Sequence, residues 1–427
     1  MFKSTKHSMP YRVSYLFLLV FIITSGISIT ISQASLLVSL IAWIYGLSRR
    51  EDDIEYYKSG IEKYIVSFVF ISIALAFFSS SVFDNLLYLR DFWLISVFVL
   101  ISSLIKTRDD IVKIIRLLIF VAIFQSLAGM VGYATDINFL NTFKHGTGYH
   151  NSHLSMGYLV GFLGHHLTYG GYMMMLTIPL VYLSFIKKGE GDHRISAILV
   201  RISSVISMVA LVLSWSRSAI IALPFAVFPI FFIHRKAFLI VFTLFVGLTL
   251  MIFSFFGPAK NILKNLNNVS SQIRIQIWSN AFKVWQKNPI VGAGGGNYCG
   301  EFKRVVQDNP KENHIFQLYF PTIVTHAHND YLNQLARKGI IGLIAFLYML
   351  YGILRYMIIK VRSLTNEGWL KYLFWGLFGS YCSFLIASMF QCYYTDEENL
   401  ALFWFAIGLI TSIVKVIELE KGKGFIA

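Results

Sequence analysis

Long apolar runs alternate with short polar connections over most of the chain. Runs near 14–32, 34–47, 64–83, 86–105, 111–133 and 169–186 form a first set. Runs near 195–213, 218–233, 237–256, 339–360, 370–390 and 399–417 form a second. A helix crosses the hydrocarbon core of a bilayer with about 20 apolar residues, and few other structures satisfy their backbone there. The pattern therefore predicts an all-α polytopic membrane protein of about twelve transmembrane helices. Two of the runs are short, so eleven to thirteen spans fit equally. The one long polar interval, 257–338, predicts a helical insert between spans nine and ten. No internal repeat is visible. The chain divides into a membrane body over 1–256 with an outer loop at 134–168, the insert 257–338, and spans ten to twelve with a tail over 339–427.

Composition agrees with the pattern: 56% of the 427 residues are hydrophobic and 14% charged, against about 25% charged in soluble proteins. Secreted, fibrous and disordered classes are excluded. The first run follows Lys3, Lys6 and Arg12, as a signal peptide would, but no small-residue cleavage site ends it, which predicts an uncleaved span.

Charge sets the orientation. With the N-terminus inside, the inner connections hold 24 of the 37 Lys and Arg, and the short outer ones hold only Arg90, Lys144 and Arg217. Positive connections stay on the cytoplasmic side, so the insert faces outward. The insert carries ten Lys and Arg against four Asp and Glu. An excess there is required by no topological rule; it suits an anionic partner or a solvated basic face. The inner excess needs no nucleic acid to explain it.

Several outer residues could carry chemistry. In Ser214-Trp215-Ser216-Arg217-Ser218, a charge sits in a very short turn between two spans, where it must meet water, a cavity or a ligand. Arg274 opens a helical stretch that begins at Ser270-Ser271 and stops at Pro289. It shares a face with Trp278, Ala281 and Trp285, so it either snorkels along the interface or grips a phosphate in a dry cleft. Arg90 and Asp91 lie at the outer end of the fourth run. Gly292-Ala293-Gly294-Gly295-Gly296-Asn297-Tyr298 offers backbone N–H groups to a phosphate, or forms a close-packed turn. Thr325-His326-Ala327-His328-Asn329-Asp330 leads into a helix ending at Gly339, capped by Thr325 or Asn329. His328 at that N-terminus is disfavoured as imidazolium, which suits a general base; a packing histidine is the plainer alternative. Five histidines (145, 150, 153, 165 and 166) cluster in the outer loop, in spacings that match no tight zinc pattern. Cys299 and Cys392 both lie outside and could pair.

Taken in order, SWSRSA around Arg217, RIQIWSNAFKVWQKNPIVGAGGGNY from Arg274, and His328-Asn329 followed by Gly339 and Gly342 resemble the O-antigen ligase/O-antigen polymerase family of bacterial membrane glycosyltransferases. The resemblance spans roughly 214–342. It implies a multi-pass protein of the bacterial inner membrane whose periplasmic site transfers a glycan from an undecaprenyl-pyrophosphate carrier to an acceptor hydroxyl, such as lipid A-core, with inversion and with neither metal nor cofactor. It further implies that Arg217 and Arg274 bind the pyrophosphate and His328 deprotonates the acceptor. His326, Asn329, Arg90, Gly294 and Tyr298 are the implied substrate-contacting positions. Arg337-Lys338 departs from the acidic or neutral residue expected before Gly339. A polymerase joining repeat units fits the same residues. A transporter of lipid-linked sugars fits less well, since transporters carry repeats and midplane charges.

Overall fold

The computed structural model describes residues 7–78, 81–135, 137, 139, 158–186, 189–227, 269–319, 324–364 and 367–422. The run 237–256, the end of 218–233, and His145, His150 and His153 lie outside the described residues. Among those described there is no β-strand, and the regular elements are all helices. The body comprises α1 (Met9–Thr24), α2 (Ile29–Ser48), α3 (Glu62–Ala76), α4 (Val82–Tyr88), a 3₁₀ turn (Leu89–Leu94), α5 (Ile95–Leu104), α6 (Arg108–Thr135), α7 (His166–Leu183), α8 (Ala197–Leu213) and α9 (Arg217–Val227). The insert holds α10 (Val269–Lys287), α11 (Tyr298–Asp308) and α12 (His314–Tyr319). Three long helices follow: α13 (Asp330–Lys360), α14 (Trp369–Ala387) and α15 (Glu397–Glu420).

Six segments are long and apolar enough to cross a membrane: Ile29–Ser48, Val82–Leu104, Arg108–Thr135, Asp330–Leu364, Trp369–Ala387 and Glu397–Glu420. Shorter apolar helices accompany them at Met9–Thr24, Ala197–Leu213 and Arg217–Ala226. This is a multi-pass membrane protein. Its centre is α15, packed on α5, α7 and α14. Its rim exposes Phe70, Val66, Ile198 and Ile344, side chains that would be costly in water but face hydrocarbon without penalty.

The first two runs fall differently from the apolar count. The turn lies at 25–28, not after 32, because Ser28 caps α2 by accepting from the Ile31 amide. Isoleucines on both sides of the turn hide it from a count of apolar residues, whereas the serine cap specifies it.

Helix ends sort onto two faces. One carries ion pairs of Arg108 with Glu367 and Glu420, Lys360 with Glu418, and Arg194 with Asp109 and Asp192. The other carries the starts of α7, α9, α13 and α15, and against it lies the insert, with its own core of Ile277, Ala281, Val284, Tyr298, Phe302 and Val305.

The joint between insert and body is a broken helix. Gly339 has φ 65° and ψ −167° within α13, dividing a short first segment from the long apolar one. Such a break leaves carbonyls and amides unpaired. Here Ala293 and Gly294 amides donate to the Ala336 and Arg337 carbonyls at 3.0 and 2.9 Å, and the Ile340 amide donates to Pro289 at 2.9 Å. The turn after Pro289 thus fills the gap in α13. The approach leaves no room for side chains: a Cβ on Gly339 would lie 2.2 Å from the Ile290 carbonyl oxygen. Gly339→Ala is expected to destabilise the protein by at least about 2 kcal/mol through strain and clash. Gly300→Ala, on helix α11 with open space around it, is expected to leave stability equal or slightly raised. Thermal unfolding midpoints in detergent check both.

Candidate active site

Arg217 owes its position to the serines around it. Ser214, Ser216 and Ser218 are buried, and Arg217 between the last two is exposed. The turn tightens through Trp215, at φ 54°. Ser216 and Ser218 hydroxyls lie 3.2 and 2.8 Å from the Tyr393 hydroxyl. Gly170 on α7 lets the turn come close, since a Cβ there would sit 2.2 Å from that of Ser216. The result places a cation on the first residue of α9, where the helix dipole disfavours positive charge by roughly 0.3–1 kcal/mol.

Arg274 lies on α10 at the edge of the face formed by Ile273, Ile277, Ala281 and Val284. Its Nη1 donates to the Phe390 carbonyl at 3.2 Å. Burial, then the nearby Arg217 charge, depress its pKa from the ordinary guanidinium value, with Tyr393 opposing. Guanidinium remains charged regardless. Among the described residues neither arginine has a carboxylate within ion-pair distance.

The His326–Asp330 segment is fixed by its capping. Asn329 accepts the Leu332 amide at 2.9 Å as the N-cap of α13, donates from Nδ2 to the Met389 carbonyl at 2.9 Å, and gives its own amide to Cys392 Sγ at 3.2 Å. Asp330 accepts the Tyr394 amide at 2.9 Å. His328 takes a left-handed φ of 48°, which turns its ring toward Gln391: Nδ1 and Oε1 are 2.8 Å apart. Burial lowers the His328 pKa and the Arg274 charge lowers it further, against the hydrogen bond to Gln391. Both effects favour the neutral ring. His326 stacks edge-on at 4.4 Å. Its pKa falls to about 3 through burial, then His328, Arg337 and His165. The Nε2 of His326 has no hydrogen-bond partner among the described residues.

Arg217, Arg274 and His328 thus form one electrostatically coupled group, with His326 and His165 beside it. The other residues singled out for chemistry serve elsewhere. Arg90 is drawn to Asp91 and Glu397, both at 3.3 Å. The glycine-rich turn gives its amides to protein: Gly294 to Arg337, and Gly296 to Asn85 Oδ1 at 2.8 Å. The Gly294 amide is thus taken by the protein, and Tyr298 is buried with its ring against Arg337. His165 caps α7, accepting the Leu167 amide at 3.2 Å, and His166 stacks on Tyr158. No set of three His, Cys, Asp or Glu among the described residues could hold a metal ion. All three cysteines are free thiols, so Cys299 and Cys392 are unpaired with each other.

Arg337 and Lys338 find an explanation. Arg337 is buried between the rings of Tyr88 and Tyr298, at 4.3 and 4.4 Å. Its guanidinium donates to Asn333 Oδ1 at 3.0 Å, to the Gly295 carbonyl at 2.5 Å, and to the Thr325 carbonyl. It cross-links the glycine turn to the histidine segment. Lys338 reaches Ser72 Oγ at 3.1 Å over the rings of Phe68 and Phe92. Three residues that the sequence left unmarked also matter: Phe390, Gln391 and Tyr393. Gln391, a lone amide just past the end of an apolar span, was the one signal that could have drawn attention.

Residues 202–347 match a family model described as O-antigen ligase. No curated protein matches the chain. The family match supports glycosyl transfer of the O-antigen ligase or polymerase type. Within the matched region, Arg337→Met would orphan the Gly295 and Thr325 carbonyls, at about 1–3 kcal/mol for each buried group left unsatisfied. Limited proteolysis is expected to cut the 289–298 turn faster in that variant, and Arg337→Lys is expected to behave alike, because one ammonium cannot span all three acceptors.

Proposed function

We propose, from the match of residues 202–347 to the O-antigen ligase family model, that the protein transfers a glycan from an undecaprenyl-pyrophosphate carrier to the hydroxyl of a lipid A-core acceptor. The observation that carries this reading is the coupled group itself. Two guanidinium groups without carboxylate partners among the described residues stand beside a neutral imidazole. That combination is unfavourable for an empty protein and favourable for one holding a polyanion.

The chemistry follows from the charges. The acceptor oxygen attacks the anomeric carbon of the donor sugar, and the new C–O bond forms as the bond to phosphate breaks. The electron pair of the broken bond goes to the pyrophosphate oxygen. Arg217, Arg274 and the amides at the start of α9 meet that growing charge. The acceptor proton passes to Nε2 of His328, whose Nδ1 is occupied by Gln391. Attack opposite the leaving group inverts the anomeric centre. Neither step requires a further cofactor. His326 offers Nε2 to the acceptor.

Sidedness supports a periplasmic site in the bacterial inner membrane. The group lies at the starts of α9 and α13, on the face away from the ends of α13 and α15, which carry the Arg108 and Lys360 ion pairs. A carrier lipid would lie along the spans with its diphosphate at their ends.

Three variants test the roles with purified protein, undecaprenyl-pyrophosphate glycan and acceptor. Arg217→Ala and Arg274→Ala are each expected to lower the transfer rate about 10²–10³-fold. His328→Ala is expected to lower it about 10²–10⁴-fold. Wild-type rate in any of them removes that residue from the chemistry. Glycan lengthening with donor alone would assign the polymerase reaction in place of the ligase.

The pH profile is a further check. His328 is active when neutral, and its pKa is lowered in the folded protein. Activity should therefore persist below the ordinary histidine value near 6.5, and fall only as the pH drops through the lowered pKa. An acid limb at or above pH 6.5 would contradict the assignment.

A further inference from the structure

The segment between α14 and α15, residues 388–396, lies outside the matched region, yet it touches each member of the group. The Phe390 carbonyl accepts from Arg274, Gln391 Oε1 lies 2.8 Å from His328 Nδ1, and the Tyr393 hydroxyl meets the serines on either side of Arg217. The segment is itself tied to the start of α13. Ser388 accepts the Asp330 amide at 2.8 Å, Met389 accepts Asn329 Nδ2, and the Tyr394 amide donates to Asp330. Gln391, Cys392, Tyr393 and Tyr394 are all buried.

We propose that Gln391 is the positioning residue of the base, holding His328 in the tautomer whose Nε2 lone pair faces the acceptor hydroxyl. This rests on the reading of His328 as base. With Oε1 accepting, Nδ1 carries the ring proton and Nε2 is left as the acceptor. The amide is suited to this position in a way that a carboxylate is not. A carboxylate would favour imidazolium and would neutralise Arg274, removing positive charge from the place where the diphosphate needs it. An uncharged partner fixes the tautomer and leaves both properties intact. The charged and titratable groups around His328 are Arg274 on α10, with Arg217 behind it, and His326 and Asp330 on its own segment. Asp330 is turned to the Tyr394 amide. From the 388–396 segment, Gln391 meets the histidine directly, Cys392 accepts the Asn329 amide, and Tyr393 lies toward the arginines.

The test measures kcat, donor KM and the pH profile of glycan transfer for the full-length protein and for Gln391→Ala, Gln391→Glu and His328→Ala. Gln391→Ala should lower kcat about 10–100-fold with donor KM little changed. Gln391→Glu is nearly isosteric; it should stay folded and move the acid limb upward by about one pH unit or more. A glutamine whose side chain is turned away from the ring would leave that limb where it is. Wild-type kcat in Gln391→Ala, or an unmoved acid limb in Gln391→Glu while His328→Ala is inactive, overturns the positioning role alone. Should Gln391→Ala fail to fold, the acid limb of Gln391→Glu decides. Wild-type turnover by His328→Ala overturns the base reading instead.

Discussion

Holding two like charges together, with no carboxylate at ion-pair distance among the described residues, is the constraint from which the local architecture follows. Arg217 depresses Arg274 and Arg274 depresses His328, and repulsion of this kind costs on the order of a kcal/mol or more away from bulk water. The cost is met by scaffold. Buried serines and Gly170 lock the Arg217 turn, the face of α10 seats Arg274, and the capped start of α13 fixes His328. A bound diphosphate would convert that repulsion into attraction, which is the physical basis for reading the group as an anion site.

The broken helix gives the site its rigidity. Because the glycine turn supplies hydrogen-bond partners to the gap at Gly339, the insert is joined to a membrane helix by backbone bonds, and Arg337 adds a second tie from the same place. A cation buried between two tyrosines is a structural part here. The two cations before Gly339 therefore say little about the acceptor, although they depart from the pattern that the resemblance implies.

Much of this was legible in the chain. Apolar runs located the described helices outside the insert, because lipid demands continuous apolar helices and no other signal competes. The helix stop at Gly339, the cap at Asn329 and the stop at Pro289 were readable because each has a local chemical cause. Arg217, Arg274 and His328 could be singled out because each stands in a short motif on the same side of the predicted spans, and the structure places them near one another. The 25–28 turn was missed because its isoleucine neighbours blur the apolar count. The use of the glycine turn as a plug, and of Gln391 as a partner for His328, could not be read at all. Both depend on contacts between segments far apart in sequence, 63 residues apart for the pair His328 and Gln391.

The central claim is that the outward guanidinium pair receives a diphosphate beside a neutral imidazole. A cryo-electron microscopy structure of the protein with undecaprenyl pyrophosphate bound tests it most directly. The account requires phosphate oxygens within about 3 Å of both Arg217 and Arg274 nitrogens, with the His328 ring facing the diphosphate across the space that the sugar and the acceptor hydroxyl would fill. A diphosphate seated on the opposite face, or held by residues other than these two arginines, would contradict it.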